Sequence, residues 1–94
     1  MKVVGRTALD DFCRKHADVV SQFGSWLCEV REAKWESPRD IKVRFPHASI
    51  LSDNRVVFNI RGNRYRLEVK ISYVAQVVVI KRIGTHAEYS KWSF

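Results

Sequence analysis

The stretch Tyr65-Arg66-Leu67-Glu68-Val69-Lys70-Ile71-Ser72-Tyr73 alternates without a break. Tyr65, Leu67, Val69, Ile71 and Tyr73 point to one side, and Arg66, Glu68, Lys70 and Ser72 point to the other. That is the period-two pattern of a strand with one buried face. Just upstream, Arg55–Ile60 is rich in β-branched and aromatic residues, and Arg61-Gly62-Asn63-Arg64 places turn residues between the two runs. Residues 77–83 form a third run, nearly all apolar at its start, as expected of a strand that is central or covered on both faces. Such short connections favour an antiparallel meander. The polar side of the sheet then carries Asn59, Arg61, Arg66 and Lys70, which predicts a basic, concave face.

The N-terminal half has a different period. Val3-Val4 is a very short candidate strand. Thr7 opens a helical pattern with Asp10 in the position of a capping-box acid and Ala8, Leu9 and Phe12 on its apolar side. Asp18 can cap a longer helix, in which Val19, Val20, Phe23, Trp26, Leu27 and Val30 follow the i, i+3, i+4, i+7 spacing of a core-facing stripe. Trp26 and Trp35 belong to the same packing. Ser37-Pro38 reads as an N-cap with proline at the first helical position, opening a short helix over residues 39–45 that Pro46 stops. Helices first and sheet second predict an α+β fold, with N-terminal helices packed on one face of a small, mainly antiparallel twisted sheet.

With 94 residues the chain is expected to form a single domain over positions 1–94. Its 46% hydrophobic and 29% charged residues exclude disorder, and no apolar run approaches the length of a membrane span. Met1-Lys2-Val3-Val4-Gly5-Arg6 lacks the apolar stretch of a signal peptide. Two cysteines make no disulfide scaffold, which fits a reducing cytoplasm. Cys13 and His16 have C-x-x-H spacing with Cys28 on the next helix, but no fourth ligand is evident, so no metal site is expected. Both cysteines read as small buried groups, and His16 and His47 as surface or turn residues.

The net charge of +7 favours an anionic partner. Residues 39–82 hold ten basic and three acidic residues, so the whole surplus lies there and the rest of the chain is neutral. A merely solubilising surface would mix the signs more evenly.

Two phrases carry a family resemblance. Arg55-Val-Val-Phe-Asn-Ile-Arg-Gly-Asn-Arg-Tyr-Arg-Leu67 and Ile83-Gly-Thr-His-Ala-Glu-Tyr-Ser-Lys91 strongly resemble the HigB toxins of the RelE-like superfamily of type II toxin–antitoxin systems. Trp26, Trp35 and Ser37-Pro-Arg-Asp-Ile-Lys-Val-Arg-Phe45-Pro46 extend the likeness over essentially the whole chain. Two positions depart from it. Ser90 stands where Asp is commoner in the family, and Ala17 where Pro commonly follows the first-helix histidine. The resemblance implies a RelE-like fold and a cytoplasmic endoribonuclease that cleaves mRNA on the translating ribosome and stops growth. It also implies a HigA-like helix-turn-helix antitoxin, with operator DNA bound only through that antitoxin. No cofactor and no membrane partner are implied.

RNA cleavage without a metal needs a base for the 2′-OH, an acid for the leaving 5′-oxygen and positive charge at the phosphate. His86 is the best acid/base candidate. Tyr89, one helical turn on, is a candidate for orienting or stacking on the nucleotide, or for proton transfer. Arg66 is the candidate phosphate clamp. Asn59, Asn63, Arg64, Lys70, Arg82 and Lys91 are candidates for RNA contacts, and Lys91 is a further acid if its environment lowers its pKa. Plain structural roles compete: His86 as a cap, Arg66 in a surface ion pair, Asn63 as a turn residue, Asn59 as a sheet hydrogen-bonder. Trp92 and Phe94 are left open between docking on the body and contacting antitoxin or ribosome. The competing functions are a non-catalytic basic RNA- or ribosome-binding module, and a degenerate toxin that only holds an antitoxin.

Overall fold

The computed structural model describes residues 1–62 and 64–92. β1 (Lys2–Val4) leads to α1 (Arg6–Lys15), a 3-10 turn (Ala17–Val19) and α2 (Val20–Glu32). After α3 (Pro38–Arg44) come β2 (Ser49–Ile50), β3 (Arg55–Ile60), β4 (Tyr65–Ser72) and β5 (Val77–Thr85), and α4 (His86–Tyr89) follows β5 directly. The strands form one sheet in the order β1-β5-β4-β3-β2. β2 through β5 pair antiparallel as the short connections predict, and β1 joins β5 in parallel, with Val3 beside Val78. The fold is α+β with a mainly antiparallel sheet.

The odd-numbered side chains of β4 build the core. Leu67, Val69 and Ile71 pack with Val56, Phe58, Val78 and Ile80 of the flanking strands against Leu9, Val19, Phe23, Trp26 and Val30. Phe58 lies in the middle of an aromatic cluster, 5.0 Å from Phe45, 5.5 Å from Trp26 and 6.2 Å from Trp35 between ring centroids. Truncating such a residue typically costs about 3–5 kcal/mol. Glu68 pairs with Arg82 but Val69 pairs with Ile80, so Lys81 is an extra residue on β5. This bulge lets Val78, Ile80 and Ile83 all serve the core despite their broken alternation.

Several expectations from the sequence are corrected. α1 begins at Arg6 after Gly5 in the left-handed region (φ 91°), with no side-chain cap from Thr7, and Ala8 is exposed. A glycine suits that start, because a Cβ at position 5 would lie 3.0 Å from the Ile80 carbonyl oxygen. Asp18 caps no helix. Its carboxylate accepts the Tyr65 hydroxyl (2.9 Å) and pairs with Arg61, tying the helical layer to the β3–β4 turn. Arg61 therefore leaves the polar sheet face to which alternation assigned it; its positive φ of 54° begins the turn. Val20 is half exposed, Cys28 is exposed and Cys13 half-buried. The sheet face expected to be open is partly covered: Val57, opposite Glu68 and outside the main core, is fully buried. β2 has no counterpart in the sequence reading.

Candidate active site on the polar face of the sheet

Paired residues on neighbouring strands share a face. Arg66 of β4 therefore lies with Asn59 of β3 and Gly84 of β5, and Glu68 lies with Val57 and Arg82. α4 turns over this face because of a local sequence signal. Thr85 Oγ1 accepts the Glu88 backbone N–H (3.2 Å), and Glu88 Oε1 accepts the Thr85 N–H (3.0 Å), a complete capping box on the last strand residue. His86 consequently opens the helical turn and Tyr89 closes it. Gly84 makes room for the fold-back: a Cβ there would sit 2.9 Å from Trp92 Cζ2 and 3.2 Å from Glu88 Cβ.

The turn brings aromatic rings onto arginines. The Arg66 guanidinium carbon lies 5.0 Å from the Tyr89 ring centroid, and that of Arg82 lies 4.6 Å from the Trp92 ring. Tyr89 and Trp92 meet edge to face at 5.5 Å. The Trp92 side chain thus docks on the body, while Phe94 lies outside the described residues. Arg66 is only 8% exposed, and its Nη1 donates to the Tyr65 carbonyl at 3.3 Å.

A buried acid organises the neighbouring charges. Glu68, 3% exposed, accepts from Arg82 Nε at 2.7 Å and faces Arg55 Nη1 at 3.6 Å. A carboxylate can be buried here because two guanidinium groups offset its desolvation. The Thr85 backbone N–H, followed by the Thr85 side chain, holds the Glu88 carboxyl below the usual glutamate range; His16 and Lys91 act in the same direction and burial opposes them.

The candidate residues do not all converge. His86 is exposed, and its backbone N–H donates to the Arg64 carbonyl (2.9 Å), which places the two beside each other at the mouth of the β3–β4 turn. Arg64 and Lys91 are exposed near the same corner, Lys91 through its N–H to the Glu88 carbonyl (3.1 Å). Asn59 is half-buried, donating to the His47 carbonyl at 3.4 Å. Lys70 is four residues along β4 from Arg66, about 13 Å away, and pairs with Asp53 at 3.1 Å. Asn63 lies outside the described residues. Sequence reasoning missed Glu68 as the partner of Arg82, and it missed the capping box, although Thr85-x-x-Glu88 is legible as one. Among the described residues, no group of three or more His, Cys, Asp or Glu side chains is placed to hold a metal ion. The described helices include none long and apolar enough to cross a membrane.

What is assembled is an exposed imidazole, a phenol laid on a guanidinium, and flanking cations. Such a set can position a phosphodiester and exchange protons with it.

Known proteins resemble the chain over most of its length. The family model HigB_toxin, the RelE-like toxic component of a toxin–antitoxin system, matches residues 19–92. Over 91 residues the chain is 24% identical to the mRNA interferase toxin HigB of Escherichia coli (strain K12), covering 95% of this chain and 88% of that protein. The same figures hold for the mRNA interferase HigB of Escherichia coli O157:H7 and that of Shigella flexneri. With the family match spanning well over half of its residues, the chain belongs to the HigB toxin family.

Proposed function

We propose that the chain is the toxin of a type II toxin–antitoxin pair, an endoribonuclease that cleaves mRNA on the translating ribosome in the cytoplasm by acid/base chemistry without a metal. The observation that carries this reading is the Arg66–Tyr89 contact of 5.0 Å, formed on the turn that His86 opens. In the proposed reaction the 2′-oxygen attacks the adjacent phosphorus as its proton is removed, and the bond to the 5′-oxygen breaks as that oxygen takes a proton. His86 serves one of these transfers, Arg66 binds the phosphate oxygens, and Tyr89 orients the nucleotide. At 8% exposure beside the Tyr89 ring, Arg66 meets a phosphate only as the groups covering its guanidinium give way. Asn59, Asn63, Arg64, Arg82, Lys70 and Lys91 contact the flanking RNA backbone in this reading. A HigA-like helix-turn-helix antitoxin neutralises the toxin and carries any operator binding.

Expression of the chain alone tests the proposal. Growth arrest with transcripts cut at defined positions, both abolished in folded Arg66→Ala and His86→Ala variants, is the expected result. Normal growth and intact transcripts with folded protein present would leave a non-catalytic RNA- or ribosome-binding module as the better description.

A further inference from the structure

A groove in two lobes, of about 430 and 370 Å³, runs along the outer edge of β3. The lobes share Phe45 and Asn59, and the second is walled by Gln22, Trp26 and Glu29 of α2. Those three residues carry an anomaly. Gln22 Oε1, Trp26 Nε1 and Glu29 Oε2 are shielded from solvent with no hydrogen-bond partner among the described residues. Trp26 as a whole is 3% exposed. Shielded polar atoms are nearly always paired, because leaving them unpaired destabilises the free fold. Three such atoms on one helical stripe, all in the wall of one groove, point to a ligand that satisfies them.

The adjoining backbone points the same way. Leu51 N–H donates to the Arg55 carbonyl (2.9 Å), which sets the alternation of β3. The backbone groups of Arg55, Val57 and Asn59 are therefore aimed at the β2 side. β2 begins at Ser49 opposite Val57, and the residue before it that reaches Asn59, His47, accepts the Asn59 side chain (3.4 Å), so among the described residues no strand pairs with the Asn59 backbone. An unpaired strand edge beside an apolar ring is the usual receptor for an extended peptide.

Chemistry separates peptide from nucleic acid. The cations here are engaged, Arg44 with Glu29 and Arg61 with Asp18. The unpaired atoms are two acceptors and one donor. An RNA strand brings its 2′-OH and base donors only together with phosphates that would face the Glu29 carboxylate, whereas a peptide brings uncharged N–H and C=O groups in alternation. We infer that this groove is the docking site for an extended segment of the antitoxin. Its N–H groups bind Gln22 Oε1 and Glu29 Oε2, a carbonyl accepts from Trp26 Nε1, and an apolar side chain rests on Phe45. The half-exposed side chains of Gln22 and Glu29 turn to admit it. The inference rests on the chain's having an antitoxin partner, but not on its being a nuclease.

The test is titration calorimetry of the purified full chain with its cognate HigA-like antitoxin. Ser25→Arg fills the groove from an exposed position, and Gln22→Met removes one unpaired acceptor at similar volume. Ser25→Arg is expected to weaken binding at least about tenfold and Gln22→Met about fivefold to tenfold. Gln22→Met should also leave the free chain's thermal midpoint unchanged or higher, and decides alone if Ser25→Arg does not fold. Wild-type affinity within twofold in the folded variants, or no binding by the unmodified chain, overturns the inference. So does loss of RNA cleavage in both variants with antitoxin binding intact, which would assign the groove to RNA. If even the unmodified chain fails to arrest growth while Ser25→Arg weakens antitoxin binding, the nuclease reading falls and the docking site stands.

Discussion

The guanidinium of Arg66 and the ring of Tyr89 lie 5.0 Å apart, so a strand residue and a residue of the terminal helical turn form one unit. A planar cation suits both the ring face and two phosphate oxygens, and a lysine ammonium suits neither as well. Arg66→Lys is expected to lower RNA cleavage at least about tenfold at unchanged net charge. Tyr89→Ala should lower it further than Tyr89→Phe, which keeps the ring on the guanidinium. Primer extension on reporter transcripts reads both effects.

His86 is exposed, so its replacement separates chemistry from stability. His86→Gln is expected to reduce cleavage by about 10²–10⁴-fold, the usual contribution of a positioned acid or base. Its thermal midpoint should stay close to that of the unmodified chain. A variant that cleaves at full rate would remove His86 from the proton transfers.

Glu68 is the opposite case. Its side chain is 4% exposed between Arg82 and Arg55, and removing one partner of a buried charge cluster commonly costs about 3–5 kcal/mol. Glu68→Ala should lower stability by that order in a urea titration. Glu68→Gln, which keeps the shape and one acceptor, should lose less.

The tie between Asp18 and Tyr65 makes a pH-dependent contribution. The Tyr65 hydroxyl, followed after opposing desolvation by Asp18's own backbone N–H and Arg61, holds the Asp18 carboxyl below its ordinary value of 3.8. Because the folded value is depressed, this stabilisation is fully present above pH 3.8 and is lost as pH falls through the lower folded value. At the other extreme, burial and then Asp18 push the Tyr65 hydroxyl above its ordinary 10.0, so its share is present below pH 10.0 and is lost as pH rises through the folded value. Asp18→Asn should flatten the acid limb of a stability–pH curve measured by denaturant titration, leaving a smaller slope from Glu88.

Gly84→Ala isolates the placement of α4. The added methyl would meet Trp92 Cζ2 at 2.9 Å and the Glu88 Cβ at 3.2 Å, so the indole must shift and the α4 turn must give by a few tenths of an ångström. Cleavage is expected to fall about tenfold or more, since misplacing a catalytic group by an ångström costs up to about a hundredfold. The core beneath is untouched, so the thermal midpoint should shift by only a few degrees.

Much of this architecture was legible. The alternation through Tyr65 and Tyr73 identified β4, and the apolar stripe from Val19 to Val30 identified α2, because hydrophobic burial imposes a period on each. Features set by tertiary contacts were not legible. Asp18 looks like a cap from its neighbours alone, but a carboxylate facing Tyr65 and Arg61 has better partners across the core than along the helix. Arg66 and Glu68 look exposed by alternation and are buried, Arg66 against the Tyr89 ring and Glu68 between Arg82 and Arg55, which a one-strand pattern does not show. The bulge at Lys81 is likewise invisible, since it appears only as a shift in the pairing with β4. His86, Tyr89 and Arg66 became a candidate group through family phrases, and the fold brings them to one corner. Lys70 shares their charge but not their place.

The pairing of Glu68 with Arg55 and Arg82, and of Asp53 with Lys70, changes how this face meets a polyanion. Each RNA phosphate neutralised by a free cation releases a condensed counterion, and affinity falls with log salt by about 0.7 per contact on a single strand. Cations already balanced within their own fold release few, and the single charge of Glu68 balances one of its two arginines. RNA binding by this chain should therefore weaken less steeply as salt rises than the ten cations of residues 39–82 would suggest.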